Sequence, residues 1–134
     1  MHVDNLVVLV TGLALLVYFW MGIRVAGARV KFKVVAPAVS GDPTFERTYR
    51  VQMNTLEWLP IFLPALWLFA WFWSGPVAAA IGVVWIVGRL IYAVTYVKDP
   101  TSRAPGFILQ TASTAVLLLG SLGKAVALLV MHGI

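Results

Sequence analysis

Residues 5–23 read NLVVLVTGLALLVYFWMGI and carry no charged side chain. A helix needs about 20 apolar residues, rising 1.5 Å each, to cross the hydrocarbon of a bilayer. Three further stretches are as long and hold one charge apiece: Glu57 in 51–73, Arg89 in 76–97 and Lys124 in 104–131. All are too long for strands, and in lipid only helices or closed barrels satisfy the backbone. The expected fold is therefore an all-α integral membrane bundle of four transmembrane helices, with spans at about 4–30, 45–73, 76–97 and 104–131.

Composition agrees. Of 134 residues, 61% are hydrophobic and 11% charged, against about 45–50% and about 25% in soluble domains. A disordered chain is excluded by that apolarity. A small soluble globule is disfavoured, because it lacks the volume to hide so many apolar side chains. The chain has no cysteine, which removes disulfides, thiolate metal sites and cysteine nucleophiles. His2 and His132 lie near opposite ends, so no metal site is expected. The net charge of +5 does not imply nucleic acid, because the basic residues sit in short loops rather than on one solvated face.

The breakers divide the chain in the same way. Ser74-Gly75-Pro76 turns between spans two and three, Lys98-Asp99-Pro100 ends span three, and Pro105 opens a fourth helix. Residues 37–44, PAVSGDPT, form the one real loop. There is no internal repeat and no second domain, so 1–134 reads as a single membrane domain. Arg24, Arg29, Lys31, Lys33, Arg47 and Arg50 flank the first loop, and Lys98 and Arg103 the third. By the positive-inside rule both loops face the cytoplasm and both termini the other side. The first span has no basic segment before it and too long an apolar run for a cleaved leader.

Polar groups at membrane depth are costly unless paired or solvated, and so mark function. Arg50, Asn54 and Glu57 stand at i, i+4 and i+7. At about 100° per residue they share one helix face and climb about 10 Å. A cation, an amide and a carboxylate stacked in this order suit a zwitterionic, peptide-like ligand. Gln52 points about 160° away from Arg50, so it would serve the site of a neighbouring copy. Arg89, Tyr92 and Tyr96 share a face of span three, with Arg103 just beyond. With Arg29 at the end of span one, arginines from three segments would converge into an anion site. Simpler readings exist: Glu57 neutralises Arg89, Tyr92 and Tyr96 belong to an interfacial aromatic belt, Pro60 and Pro64 only bend span two, and the tryptophans mostly meet lipid.

The string Phe45-Glu46-Arg47-Thr48-Tyr49-Arg50-Val51-Gln52-Met53-Asn54-Thr55-Leu56-Glu57-Trp58-Leu59-Pro60 closely resembles the FERxxRxQxNxxE signature of the MAPEG family, membrane-associated proteins in eicosanoid and glutathione metabolism. Arg89-Leu90-Ile91-Tyr92, Tyr96 and Arg103 stand at matching spacing. Within the family the chain looks most like the leukotriene C synthase and type 2 microsomal glutathione transferase branches. The resemblance implies a homotrimer that binds glutathione between adjacent subunits near the cytoplasmic face. Arg50, Asn54, Glu57 and Tyr92 would come from one subunit, and Arg29, Gln52, Tyr96 and Arg103 from its neighbour. Arg103 would be catalytic, activating the sulfur, and Trp58 would occupy a glutathione-binding position. Glutathione is then a co-substrate, with no metal, and the second substrate a hydrophobic electrophile or a lipid hydroperoxide.

Two departures qualify this reading. Trp58 replaces the tyrosine common in close relatives, removing one hydroxyl contact. Val30 follows Arg29 where the leukotriene branch carries a second arginine, which argues against a leukotriene substrate. A general detoxifying transferase fits better. The alternative is a non-catalytic lipid- or glutathione-binding scaffold of the same family. A small proton-coupled multidrug exporter would need a carboxylate deep in span one, and residues 5–23 have none.

Overall fold

The computed structural model describes residues 4–133. Helix α1 spans Asn5–Phe32, α2 Pro43–Phe72, α3 Gly75–Lys98 and α4 Ala104–His132, with a single 3₁₀ turn, Pro100–Arg103, before α4. His2 lies outside the described residues. All four long helices are apolar enough to cross a membrane, and the described residues include no strand.

Local chemistry sets the ends of these helices. Asp4 accepts from the amides of Leu6 and Val7 at the start of α1. Asp42 accepts from Thr44 and Phe45 at the start of α2, with Pro43 at the first helical position. Both are side-chain caps that satisfy otherwise orphaned N–H groups. Because Asp42 is the cap, α2 begins at Pro43, two residues before the expected 45. Helix α1 ends at Lys33, a lysine in the left-handed conformation (φ 56°, ψ 37°), a position glycine more often fills. Pro60 and Pro64 lie within α2, which continues through both to Phe72.

Helices α2 and α3 form the central pair, each packed against α1 and α4, which flank them. The apolar core runs from Val7, Val10 and Ala14 of α1 through Phe62 and Leu66 of α2 to Trp85 of α3 and Leu117 of α4. Trp85 is fully buried and stacks on Phe62 with ring centroids 4.0 Å apart. This tryptophan is therefore core rather than lipid contact, whereas Trp71 and Trp73 are 75% and 56% exposed. Large apolar side chains also cover the outside, with Leu16, Phe19, Leu119 and Val130 all more than half exposed. A bundle apolar both inside and out is solvated by lipid.

Lipid supplies little hydrophobic drive between helices, so close packing of small residues takes over. The tightest crossing is α3 on α4. A Cβ on Gly106 would lie 2.6 Å from the Gly88 carbonyl oxygen, and one on Gly88 2.9 Å from the Gln110 amide nitrogen. These contacts are backbone against backbone, so neither helix can relieve a clash by changing a rotamer. The crossing sits beside Tyr92 and just after Arg103, and it fixes the separation of α3 and α4 there. Gly106→Ala is expected to push the helices apart and cost about 1–3 kcal/mol. The check is a thermal melt in detergent; an unchanged midpoint would show that the crossing yields freely.

Candidate functional site

The face expected on α2 forms as predicted. Glu57 accepts from Arg50, with Nη1 to Oε1 at 3.1 Å and Nη2 to Oε2 at 3.4 Å, and from Asn54 Nδ2 at 3.4 Å. The forked Arg–carboxylate geometry is the strong form of such a pair. Here it is only half-covered by the chain, with side chains 52% and 53% exposed. Glu57 lies 14 residues into α2, about 21 Å along its axis at 1.5 Å per residue, near mid-helix.

A cavity of about 190 Å³ opens beside this ladder, lined by Arg50, Asn54, Tyr92, Tyr96, Arg103 and Phe107. Its walls come from α2, α3, the 3₁₀ turn and the first turn of α4. Tyr92 is buried and stacks on Tyr96 at 5.2 Å, so these tyrosines form a cavity wall rather than an interfacial belt. Two guanidiniums face the space. Arg50 is paired with Glu57, while Arg103 enters no ion pair or hydrogen bond among the described residues. The cavity is thus biased towards an anion, with one carboxylate at its side for an ammonium.

Tyr96 and Arg103, expected from a neighbouring copy, stand in the same cavity as Arg50, Asn54 and Tyr92. The short link Asp99–Arg103 folds the chain back so that both groups line a cavity of their own chain. Gln52 lies in a separate apolar trough with Tyr18, Phe19, Gly22 and Ile23, away from the cavity as its helical position requires. Arg29 is also elsewhere: Nη1 donates to the carbonyls of Val34 (3.4 Å) and Ala38 (2.7 Å), and the guanidinium covers Phe45. It ties down the first loop. Trp58 packs edge-on against Phe107, one residue back from the cavity. The expected convergence of arginines is therefore partial. Arg50 and Arg103 meet in the cavity, and Arg89 is sealed behind its wall, fully buried. Nor does Glu57 neutralise Arg89, because its partners are Arg50 and Asn54.

Three contributors had no obvious signal in the sequence. Phe107 lines the cavity four residues after Arg103, one helical turn on. Arg47 donates to the carbonyls of Val97 (3.5 Å) and Lys98 (3.4 Å), closing the C-terminal end of α3. Asp99 organises the turn that carries Arg103: its carboxylate accepts from Thr101 N (2.9 Å), Thr101 Oγ1 (2.7 Å) and Ser102 Oγ (3.4 Å).

The comparisons with known proteins fit this architecture. The MAPEG family model matches residues 7–123. The chain belongs to the MAPEG family. Human microsomal glutathione S-transferase 2 is 41% identical over 107 residues, 79% of this chain and 73% of that protein. Bovine leukotriene C4 synthase is 36% identical over 115 residues, 85% and 77% of the two chains. An uncharacterized protein of Synechocystis is 45% identical over 114 residues, 85% and 83%. MAPEG membership and four long apolar helices make this a multi-pass integral membrane protein.

Asp99 supplies a test of the turn that carries Arg103. Hydrogen bonds from Thr101, then Ser102, favour its charged form and hold the carboxyl below its ordinary 3.8. Its folded value is depressed, so its contribution is complete above the ordinary carboxylate range and is lost as pH falls through the lowered value. The turn is thus expected to hold throughout the neutral range. Asp99→Ala removes the acceptor at all pH values, and hydrogen exchange at Thr101 should accelerate by about tenfold. Unchanged exchange would mean that the turn does not depend on this carboxylate.

Proposed function

We propose that the protein is a membrane-bound glutathione transferase whose cavity binds the tripeptide as a thiolate and conjugates it to small hydrophobic electrophiles. The observation that carries this reading is that Arg50, itself paired with Glu57, and Arg103 line one cavity between membrane helices. Named relatives that are glutathione transferases support it. Glutathione offers two carboxylates, one ammonium and one thiol. Glu57 suits the ammonium, Arg50 a carboxylate, and the Tyr92–Tyr96 stack flanks the peptide plane. Arg103, which enters no ion pair or hydrogen bond among the described residues, is left for the sulfur.

The chemistry follows from charge. A free thiol has a pKa near 8.5 and is mostly protonated at neutral pH. A neighbouring guanidinium favours the thiolate, and a shift of about two units corresponds to roughly 2.7 kcal/mol. The proton leaves to solvent, and the sulfur lone pair forms a bond to an electrophilic carbon as the leaving group departs with its electrons. The second substrate arrives laterally from lipid. A lipid hydroperoxide would be reduced by the same thiolate, the resulting sulfenate being resolved by a second glutathione to the disulfide.

A half-exposed ion pair at mid-helix cannot face hydrocarbon without cost. That supports a homotrimer in which an adjacent copy covers the Arg50–Glu57 side and brings its Gln52, and Arg29 at the loop end, towards the bound tripeptide. The basic first and third loops support a cavity mouth on the cytoplasmic side with the termini opposite.

Arg103→Ala tests the assignment. The variant is expected to keep the bundle and lose the ultraviolet thiolate absorbance of bound glutathione, with turnover down by about a hundredfold. Undiminished absorbance would remove Arg103 from its role. Glutathione binding by the wild type without turnover of any electrophile would favour the scaffold.

A further inference from the structure

Arg89 is a full cation inside an apolar bundle, 0% exposed, and its hydrogen-bond partners are all neutral. Nη1 donates to Asn54 Oδ1 at 3.0 Å and Nη2 to Thr55 Oγ1 at 2.6 Å, while Nε has no acceptor among the described residues. The guanidinium carbon sits 4.5 Å over the Tyr92 ring. Burying a charge without a counter-charge is expensive, and Arg89 does not reach the cavity. It does touch two of the residues that line it.

The contact with Asn54 has a direction. An amide has an acceptor end and a donor end, which are nearly the same shape. A guanidinium only donates, so it accepts no orientation of Asn54 other than oxygen inward. The amide NH₂ is thereby turned outward, where it meets Glu57 Oε2. Thr55, the next residue on α2, anchors the other prong and is itself held by its own bond to the Val51 carbonyl at 2.8 Å. A planar fork pinned at two adjacent residues cannot rotate.

We infer that Arg89 is a positioning residue for the glutathione site: from beneath the cavity it fixes the Asn54 amide and the Tyr92 ring, so that Glu57 is preset to receive the ligand's ammonium. This rests on the function proposed above. Arg89 acts on affinity through Asn54 and not on the sulfur, which belongs to Arg103.

The test is a double-mutant cycle on glutathione affinity, by calorimetry of the full-length protein in detergent, with Arg89→Met, Asn54→Ala and both together. Each single change is expected to weaken binding by about tenfold, and the double change by no more than the larger single effect. At saturating glutathione, Arg89→Met should recover the wild-type thiolate absorbance, which a general loss of structure would not allow. Should Arg89→Met fail to fold, Arg89→Lys replaces it in the cycle. It keeps the buried cation, but one ammonium cannot hold both oxygens in the fork, so it should recover only part of the affinity and be silent beside Asn54→Ala. Losses that multiply, or an Arg89 variant that binds as the wild type does, overturn the inference while leaving the function intact. A wild type that does not bind glutathione overturns both.

Discussion

A charge placed among lipid-solvated helices must find its partners within the protein, and this constraint organises the structure. The chain puts Arg50, Asn54 and Glu57 on one face of α2 and Arg89 opposite them on α3. None can be left to hydrocarbon. The result is a hydrogen-bonded run from Arg89 through Asn54 to Glu57 and back to Arg50. It joins the two central helices at the depth where the cavity opens. Packing then serves this run. Gly88 and Gly106 bring α4 close enough for Phe107 to close one wall, and the Asp99 turn returns Arg103 to the mouth.

The division of labour among the arginines is the main functional consequence. Five of them lie at one end of the bundle and do different work because their surroundings differ. Arg29 and Arg47 spend their donors on backbone carbonyls and secure loop and helix ends. Arg89 is held by neutral oxygens behind the wall. Arg50 is shared with a carboxylate. Of the two arginines that line the cavity, Arg103 has neither ion pair nor hydrogen bond among the described residues, which makes it the unsatisfied anion attractor there. A thiolate needs such a neighbour, and the remaining groups match the ends of a tripeptide.

Much of the fold was legible in the sequence because its signals are physically strong: four apolar runs of membrane length, separated by proline- and glycine-containing turns. Caps moved the boundaries by a residue or two, as at Asp42 and Pro43. The polar face of α2 and the Arg89–Tyr92–Tyr96 face of α3 followed from helical spacing. What spacing could not supply was the third dimension. A helical wheel gives the direction of Arg89 but not whether α4 covers it. It cannot show that a 3₁₀ turn brings Arg103 back to its own chain's cavity, or that Arg29 bends onto the loop carbonyls. Trp85 was indistinguishable from a lipid-facing tryptophan until Phe62 was seen stacked on it. The family resemblance pointed to Arg50, Asn54, Tyr92, Tyr96 and Arg103, which line one cavity of a single chain; spacing alone could not show that Tyr96 and Arg103 reach the cavity of their own chain.

The central claim is that the cavity captures glutathione and strips its sulfur of a proton. Calorimetric titration of glutathione into the solubilised protein at neutral pH, repeated in buffers of different protonation enthalpy, counts that proton directly. The account predicts saturable binding with close to one proton released for each occupied site. Saturable binding with no proton released, or no binding at all, would contradict it.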